Sequence, residues 1–157
     1  RIIYSKAVLK SGTIALHPGS GSESKNWPEE YWGQLISLLL EQENMDLMIV
    51  GGEAEAKRVR RLGSKFPNPR LRLLLNQPLT SVARELAGCE IFVGHDSGIT
   101  HLAAALGLRC VVLWAQTNEK VWRPPGEKVN ILNQCKNNIQ VEPRAVFKII
   151  KKLTSVH

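Results

Sequence analysis

Within residues 91–107 the hydrophobic period changes from that of a strand to that of a helix, which limits this stretch to a strand–turn–helix unit. Ile91, Phe92 and Val93 read as a buried strand, Gly94 and Gly98 permit a tight turn, and Ile99, Leu102, Ala103 and Leu106 recur at helical spacing. Asp96, Ser97 and His101 are the polar residues left over. A helix beginning near Ser97 places His101 one turn along the same face. Its first N–H groups and positive dipole end make a place suited to phosphate.

The same alternation runs through the chain. Thr13 to His17 is a short apolar run, followed by a Gly/Ser loop and by Pro28-Glu29-Glu30, a helix-start signal with Tyr31, Leu35, Leu38 and Leu39 as its buried stripe. Asp46 to Gly51 is the next strand, and Gly52 and Glu53 lead into a helix striped by Val59, Leu62 and Phe66. Strands follow at Leu71 to Leu75, Glu90 to Gly94, Cys110 to Ala115 and Val129 to Leu132, and helices at Thr80 to Gly88 and around Val146, Ile149, Ile150 and Leu153. Strands alternating with helices require right-handed crossovers, so the expected fold is α/β: a Rossmann-like, doubly wound parallel sheet. Ligands bind such sheets beyond the carboxyl ends of the strands. Four segments are expected to converge there: His17 to Lys25, Gly52 and Glu53, His95 to Gly98, and Gln116 to Arg123.

A length of 157 residues is that of one domain, and the 43% apolar content supports an ordinary core. No apolar run reaches the roughly 18 residues of a membrane span, and no secretory signal opens the sequence, so a cytoplasmic location is expected. Cys89, Cys110 and Cys135 are an odd, widely spaced set with no C-x-x-C pair, against a disulfide framework or zinc knuckle. The net charge of +7 concentrates in Lys57, Arg58, Arg60, Arg61, Lys65, Arg70 and Arg72, and again in Arg144, Lys148, Lys151 and Lys152. Solvated helix faces explain most of it, and attraction to an anionic substrate or lipid surface is the functional alternative. Aromatics do not interleave with these charges, so no nucleic acid is expected as partner.

Several chemistries fail on spacing. Pro18-Gly19-Ser20-Gly21-Ser22-Glu23-Ser24-Lys25 lacks the Gly before Lys25 and the hydroxyl after it that a Walker A loop needs, and Ser24 replaces the last glycine of G-x-G-x-x-G. What remains is a loop able to offer N–H groups, hydroxyls and one ammonium to an anion. Gly94-His95-Asp96-Ser97-Gly98 sets its serine one place late for a nucleophile elbow. Asp96 also has the plainer reading of a helix cap. His17, His95 and His101 lack the i, i+4 partner of a helical zinc pair. The only aspartates are Asp46 and Asp96, which leaves no D-x-D pair to hold a metal on a nucleotide sugar. The expectation is a site with no metal and no cofactor.

His17-Pro18-Gly19 with Lys25 and Trp27-Pro28, Gly51-Gly52-Glu53, and above all Asp96-Ser97-Gly98-x-x-His101-x-Ala103-Ala104 together resemble glycosyltransferase family 9, the bacterial heptosyltransferases of lipopolysaccharide core assembly. The resemblance spans most of residues 13 to 132 in order. It implies a GT-B architecture of two Rossmann-like domains facing a cleft. On this reading residues 1–157 are the C-terminal, donor-binding domain, with the N-terminal acceptor domain absent. Two positions depart from the family pattern: Ala115-Gln116-Thr117 stands where Gly-Pro-Thr is usual, and His95 where Asn is common.

Carried over by position, Ser20, Gly21 and Lys25 contact the donor diphosphate and Glu53 the ribose or base. Asp96, Ser97, Gly98 and His101 serve the donor phosphate and sugar, with Lys25 and His101 as the catalytic pair that stabilises the leaving group. The implied reaction is inverting transfer of heptose from ADP-heptose to the lipopolysaccharide core, with the acidic base supplied by the N-terminal domain. The acceptor places peripheral association with the inner membrane among the expectations. Two other functions fit the same features: a non-catalytic nucleotide-sugar-binding module, and an enzyme like the sugar-nucleotide epimerases.

Overall fold

A computed structural model describes residues 12–20, 26–114, 128–133, 135–136 and 139–155. The strands are β1 (Thr13–Leu16), β2 (Asp46–Gly51), β3 (Leu71–Leu75), β4 (Ile91–His95), β5 (Arg109–Trp114) and β6 (Val129–Asn133), with a short hairpin of β7 (Cys135–Lys136) and β8 (Ile139–Gln140). The helices are α1 (Glu29–Leu40), α2 (Ala56–Ser64), α3 (Leu79–Ala87), α4 (Gly98–Ala105) and α5 (Pro143–Ser155), and a 3-10 turn (Glu53–Glu55) precedes α2. The six main strands are parallel and run in the order β3-β2-β1-β4-β5-β6. This is the doubly wound order, and it reverses between β1 and β4.

Two cores follow from the strand period of two. Ile14, Leu16, Leu47, Ile49, Ile91, Val93, Val111 and Leu113 point to one face, where Trp32, Leu35, Ile36 and Leu39 of α1, Val59 and Leu62 of α2, and Val146 and Ile150 of α5 cover them. Ala15, Met48, Val50, Phe92, Cys110, Val112 and Trp114 point to the other, under Val82 and Leu86 of α3 and Ala103 of α4.

The expected elements are present, with shifts at their ends. Helix α3 begins one residue early, at Leu79, because Pro78 immediately before it has the φ of a helix entry without needing a bonded N–H. The buried stripe of α1 is Trp32, Leu35, Ile36 and Leu39, and Tyr31 and Leu38 are only half-buried. Helix α2 stops at Ser64, so Phe66 packs on the core from beyond its end.

The basic cluster is also partly structural. Arg70 donates to the carbonyls of Leu40, Gln42 and Met45, capping the C-terminal end of α1, and Arg61 and Arg72 pair with Glu29 and Glu85. No helix among the described residues is long and apolar enough to cross a membrane.

Gly94 lies in β4 where side-chain room is absent. A methyl group there would stand 2.7 Å from Cε1 of Phe92 and 3.3 Å from Oγ1 of Thr100. Gly94→Ala is therefore expected to cost about 1–3 kcal/mol of stability through overpacking, read from the midpoint of urea unfolding.

Candidate functional site

The strand reversal opens a crevice of about 480 Å³ at the carboxyl edge of the sheet. His17 and Ser20 after β1, Gly51 and Gly52 at the end of β2, Glu55, Gln77 after β3, and Ser97 and Gly98 at the start of α4 line its polar parts. Val50, Leu79, Val82, Ile99 and Leu102 form apolar walls. Leu79 is 63% exposed, so one wall is an uncovered apolar surface.

One end of the crevice is a carboxylate held in place. The 3-10 turn brings Glu55 back over Gly52, whose N–H donates to Oε2 of Glu55 at 3.1 Å, while the Glu55 N–H donates to the Gly52 carbonyl at 3.1 Å. Buried His17 donates from Nε2 to the same carboxylate oxygen at 3.2 Å. That bond holds the Glu55 carboxyl below the ordinary carboxylate range against the opposing effect of burial, and the Gly52 N–H and Arg58 act in the same direction. Glu55 is thus an anionic acceptor at neutral pH. The other ring nitrogen of His17, Nδ1, is buried and finds no partner among the described residues. Gly19 packs so closely on this pair that a methyl group there would lie 2.3 Å from the Glu55 carboxyl carbon.

The other end is the start of α4. Ser97 is its N-cap, with extended backbone and no side-chain capping bond. Its hydroxyl lies 3.3 Å from Oγ1 of Thr100, which in turn donates to the carbonyl of His95. Ser97 must then donate to Thr100, and it leaves the first-turn N–H groups of the helix uncapped by its side chain. Gly98 adds nothing to block them, since a methyl group there would meet no atom within 4 Å. The arrangement suits an anion.

Beneath the crevice His95 is fully buried. Its Nε2 accepts the Trp27 N–H at 2.8 Å, and its Nδ1–H faces the Gly19 carbonyl at 3.2 Å. Trp32 meets the ring edge-on, with centroids 5.6 Å apart. Burial pushes His95 down to about 4, more than the Gly19 bond and the nearby Asp96 and Glu55 charges raise it, so the ring is neutral at pH 7.

Of the residues singled out in the sequence, Ser20, Ser97 and Gly98 line the crevice. Glu53 is exposed and does not, because the 3-10 turn directs Glu55 inward instead. Asp96 is half-buried one residue before the cap, which is Ser97. His101 is half-buried one turn into α4, beside the lining residues and not among them. Gly21, Lys25 and Gln116 to Arg123 lie outside the described residues. Sequence reasoning missed Glu55, Gln77 and the roles of His17 and His95. The spacing Gly52-x-x-Glu55, that of a helix-start carboxylate reaching back to the cap, was the available signal for Glu55.

Among the described residues no three His, Cys, Asp or Glu side chains gather into a metal-binding group. Burial pushes the thiols of Cys89 and Cys110 up to about 12, which leaves them unreactive.

The buried neutral His95 makes stability depend on pH. Its folded-state value, about 4, lies below the unfolded value of about 6.5, so between these the unfolded chain binds the extra proton and stability rises with pH. Acidification from pH 7 to pH 4 is expected to remove about 3 kcal/mol through this residue. Urea unfolding of wild type and His95→Gln across that range checks it: the variant should show a shallower loss.

Residues 4–149 match glycosyltransferase family 9 (heptosyltransferase). Lipopolysaccharide heptosyltransferase 1 of Escherichia coli K12 is 33% identical over 121 residues, which is 71% of this chain and 37% of that protein. Its Pseudomonas aeruginosa PAO1 counterpart is 34% identical over 67% of this chain and 29% of its own length. The solved E. coli heptosyltransferase WaaC with ADP superposes with a TM-score of 0.83 at 26% identity, covering 94% of this chain and 46% of that one. WaaC with ADP-2-deoxy-2-fluoro heptose gives 0.77 at 28% identity, over 91% and 44%. The chain thus spans about a third of the length of the curated relatives it matches. With a matching fold and a match over nearly its whole length, the chain belongs to glycosyltransferase family 9.

Proposed function

We propose that this chain is the donor-binding half of an inverting glycosyltransferase that moves heptose from ADP-heptose to the lipopolysaccharide core. The observation that carries this reading is the set of chemistries lining one crevice: apolar walls, a fixed carboxylate and an uncapped helix start. A nucleoside diphosphate offers the matching set of base, ribose and phosphates. Relatives solved with ADP and with a fluorinated ADP-heptose support adenine as the base and heptose as the sugar.

In this reading the base lies between Val50, Leu79, Val82 and Leu102. The ribose hydroxyls donate to Glu55, a role moved here from Glu53 on the geometry, with His17 donating to the same carboxylate. The diphosphate meets the N–H groups of Gly98 and Ile99, with Ser20 of the β1–α1 connection also lining the crevice. As the bond from sugar to phosphate breaks, the electron pair stays on the diphosphate. Donors already aimed at that oxygen stabilise it more in the transition state than in the ground state. Lys25 supplies charge and His101 a hydrogen bond from the sugar side, while Asp96 fixes the turn between them. The base that deprotonates the acceptor would belong to an N-terminal acceptor domain.

The exposed Lys57 and Arg60 of α2, Lys65 just past its end, and Arg144 and Lys148 of α5 lie on or beside helices covering one face of the sheet. We propose that this face supports peripheral association with the anionic inner membrane. Co-sedimentation with phosphatidylglycerol vesicles should then occur at low salt and fall as salt rises. Salt-independent or absent binding would remove that part of the reading.

ADP titration tests the site. Lys25→Ala is expected to lose about 1.5–3 kcal/mol of ADP binding, tenfold or more, with little change in melting temperature. Glu55→Gln should weaken ADP more than it weakens inorganic pyrophosphate, which has no ribose. Because the donors are protein groups, ADP binding should persist in EDTA. The full-length protein should transfer heptose from ADP-heptose to a heptose-deficient lipopolysaccharide; absence of that transfer would sink the catalytic reading.

A further inference from the structure

His95 has both ring nitrogens engaged with main-chain groups far away in sequence, and both belong to the connection between β1 and α1. Nε2 accepts the N–H of Trp27 and Nδ1 meets the carbonyl of Gly19. Ser20 donates from Oγ to Oδ1 of Asn26 at 2.7 Å, a second cross-link over the same neck. The His95 main chain reaches the other side of the crevice, because its carbonyl takes the hydroxyl of Thr100 in the first turn of α4. One residue therefore registers the β1–α1 connection and the start of α4, both of which line the crevice. We propose that His95 is a positioning residue for nucleotide binding, clamping Gly19 and Trp27, at the two ends of the β1–α1 connection, to the end of β4 so that Ser20 is held at the diphosphate beside the N-terminus of α4.

The inference rests on reading the crevice as a nucleotide site. The ring cannot swing to another partner, since it is fully buried with Trp32 against it, and Trp27 meets Trp32 edge-on at 5.2 Å. Only the tautomer with its proton on Nδ1 satisfies both contacts. The ionisable groups bearing on the ring are His17 after β1, Glu55 in the 3-10 turn and Asp96 beside it. A proton added at Nε2 would set a donor against the Trp27 N–H. The side chain touches neither substrate nor reacting atoms in this scheme and acts through the loop alone.

The test is calorimetric titration of the chain with ADP and with adenosine, for wild type, His95→Phe and His95→Gln, together with exchange of the Trp27 amide hydrogen. Phe fills the ring's space and bonds to neither partner, so its ADP affinity is expected to fall about tenfold or more while adenosine, which lacks the diphosphate, changes by less than about twofold. The Trp27 amide should lose protection in this variant. Gln carries an oxygen to the place of Nε2, so Trp27 should stay protected and ADP affinity return to within about threefold of wild type. Equal losses for ADP and adenosine would mark a purely structural residue and overturn the proposal, as would wild-type ADP affinity in folded His95→Phe. Should the Phe variant not fold, Gln decides: a tenfold loss of ADP affinity with Trp27 still protected overturns it. A wild-type chain that binds neither ligand would instead overturn the nucleotide reading of the crevice, and this role with it.

Discussion

The handedness of parallel crossovers is the constraint on which the rest of this structure depends. From β1 to β3 the chain steps in one direction and lays α1 and α2 on one face. It then crosses by α3 to β4 and steps in the other direction, which puts α3 and α4 on the opposite face. The loops after β1 and β4 leave their neighbouring strands toward opposite sides. The gap between them is a consequence of the winding, and it exists before any side chain is chosen for chemistry.

The side chains then divide that gap by polarity. Burial alone would drive a carboxyl toward its neutral form, yet Glu55 is kept charged because two donors are fixed on it. The same burial acts on His95 without an anion in direct contact, and there it wins. Two ionisable groups in one neighbourhood are thus set to opposite ends by their hydrogen-bond partners: one an anion that accepts, the other a neutral ring that donates and accepts at once.

Much of the architecture was legible because apolar runs such as Ile91-Phe92-Val93 and Cys110-Val111-Val112-Leu113 are buried on both faces and carry the sheet's signature directly. The turn at Ser97 and Gly98 that opens α4 was legible for a similar local reason, since cap and helix are neighbours in sequence. Glu55 was not, because a single 3-10 turn decides which of two nearby glutamates points inward. His95 read as part of a polar turn, and its burial comes from Trp27 and Trp32, which only tertiary packing brings over it. Gln77 joins the crevice from β3, a strand whose sequence says nothing of where its end will lie.

Gly19 leaves no space beside Glu55, and Glu55 is in turn pinned by Gly52 and His17. These four positions come from two separate segments, but they form a single interlocked unit. Change at one alters what is permitted at the others: a side chain at 19 demands a shorter acid at 55, and a shorter acid strands the imidazole at 17. Substitutions there will combine non-additively, so the drift of this end of the crevice among relatives should proceed by paired replacements and not by independent single steps.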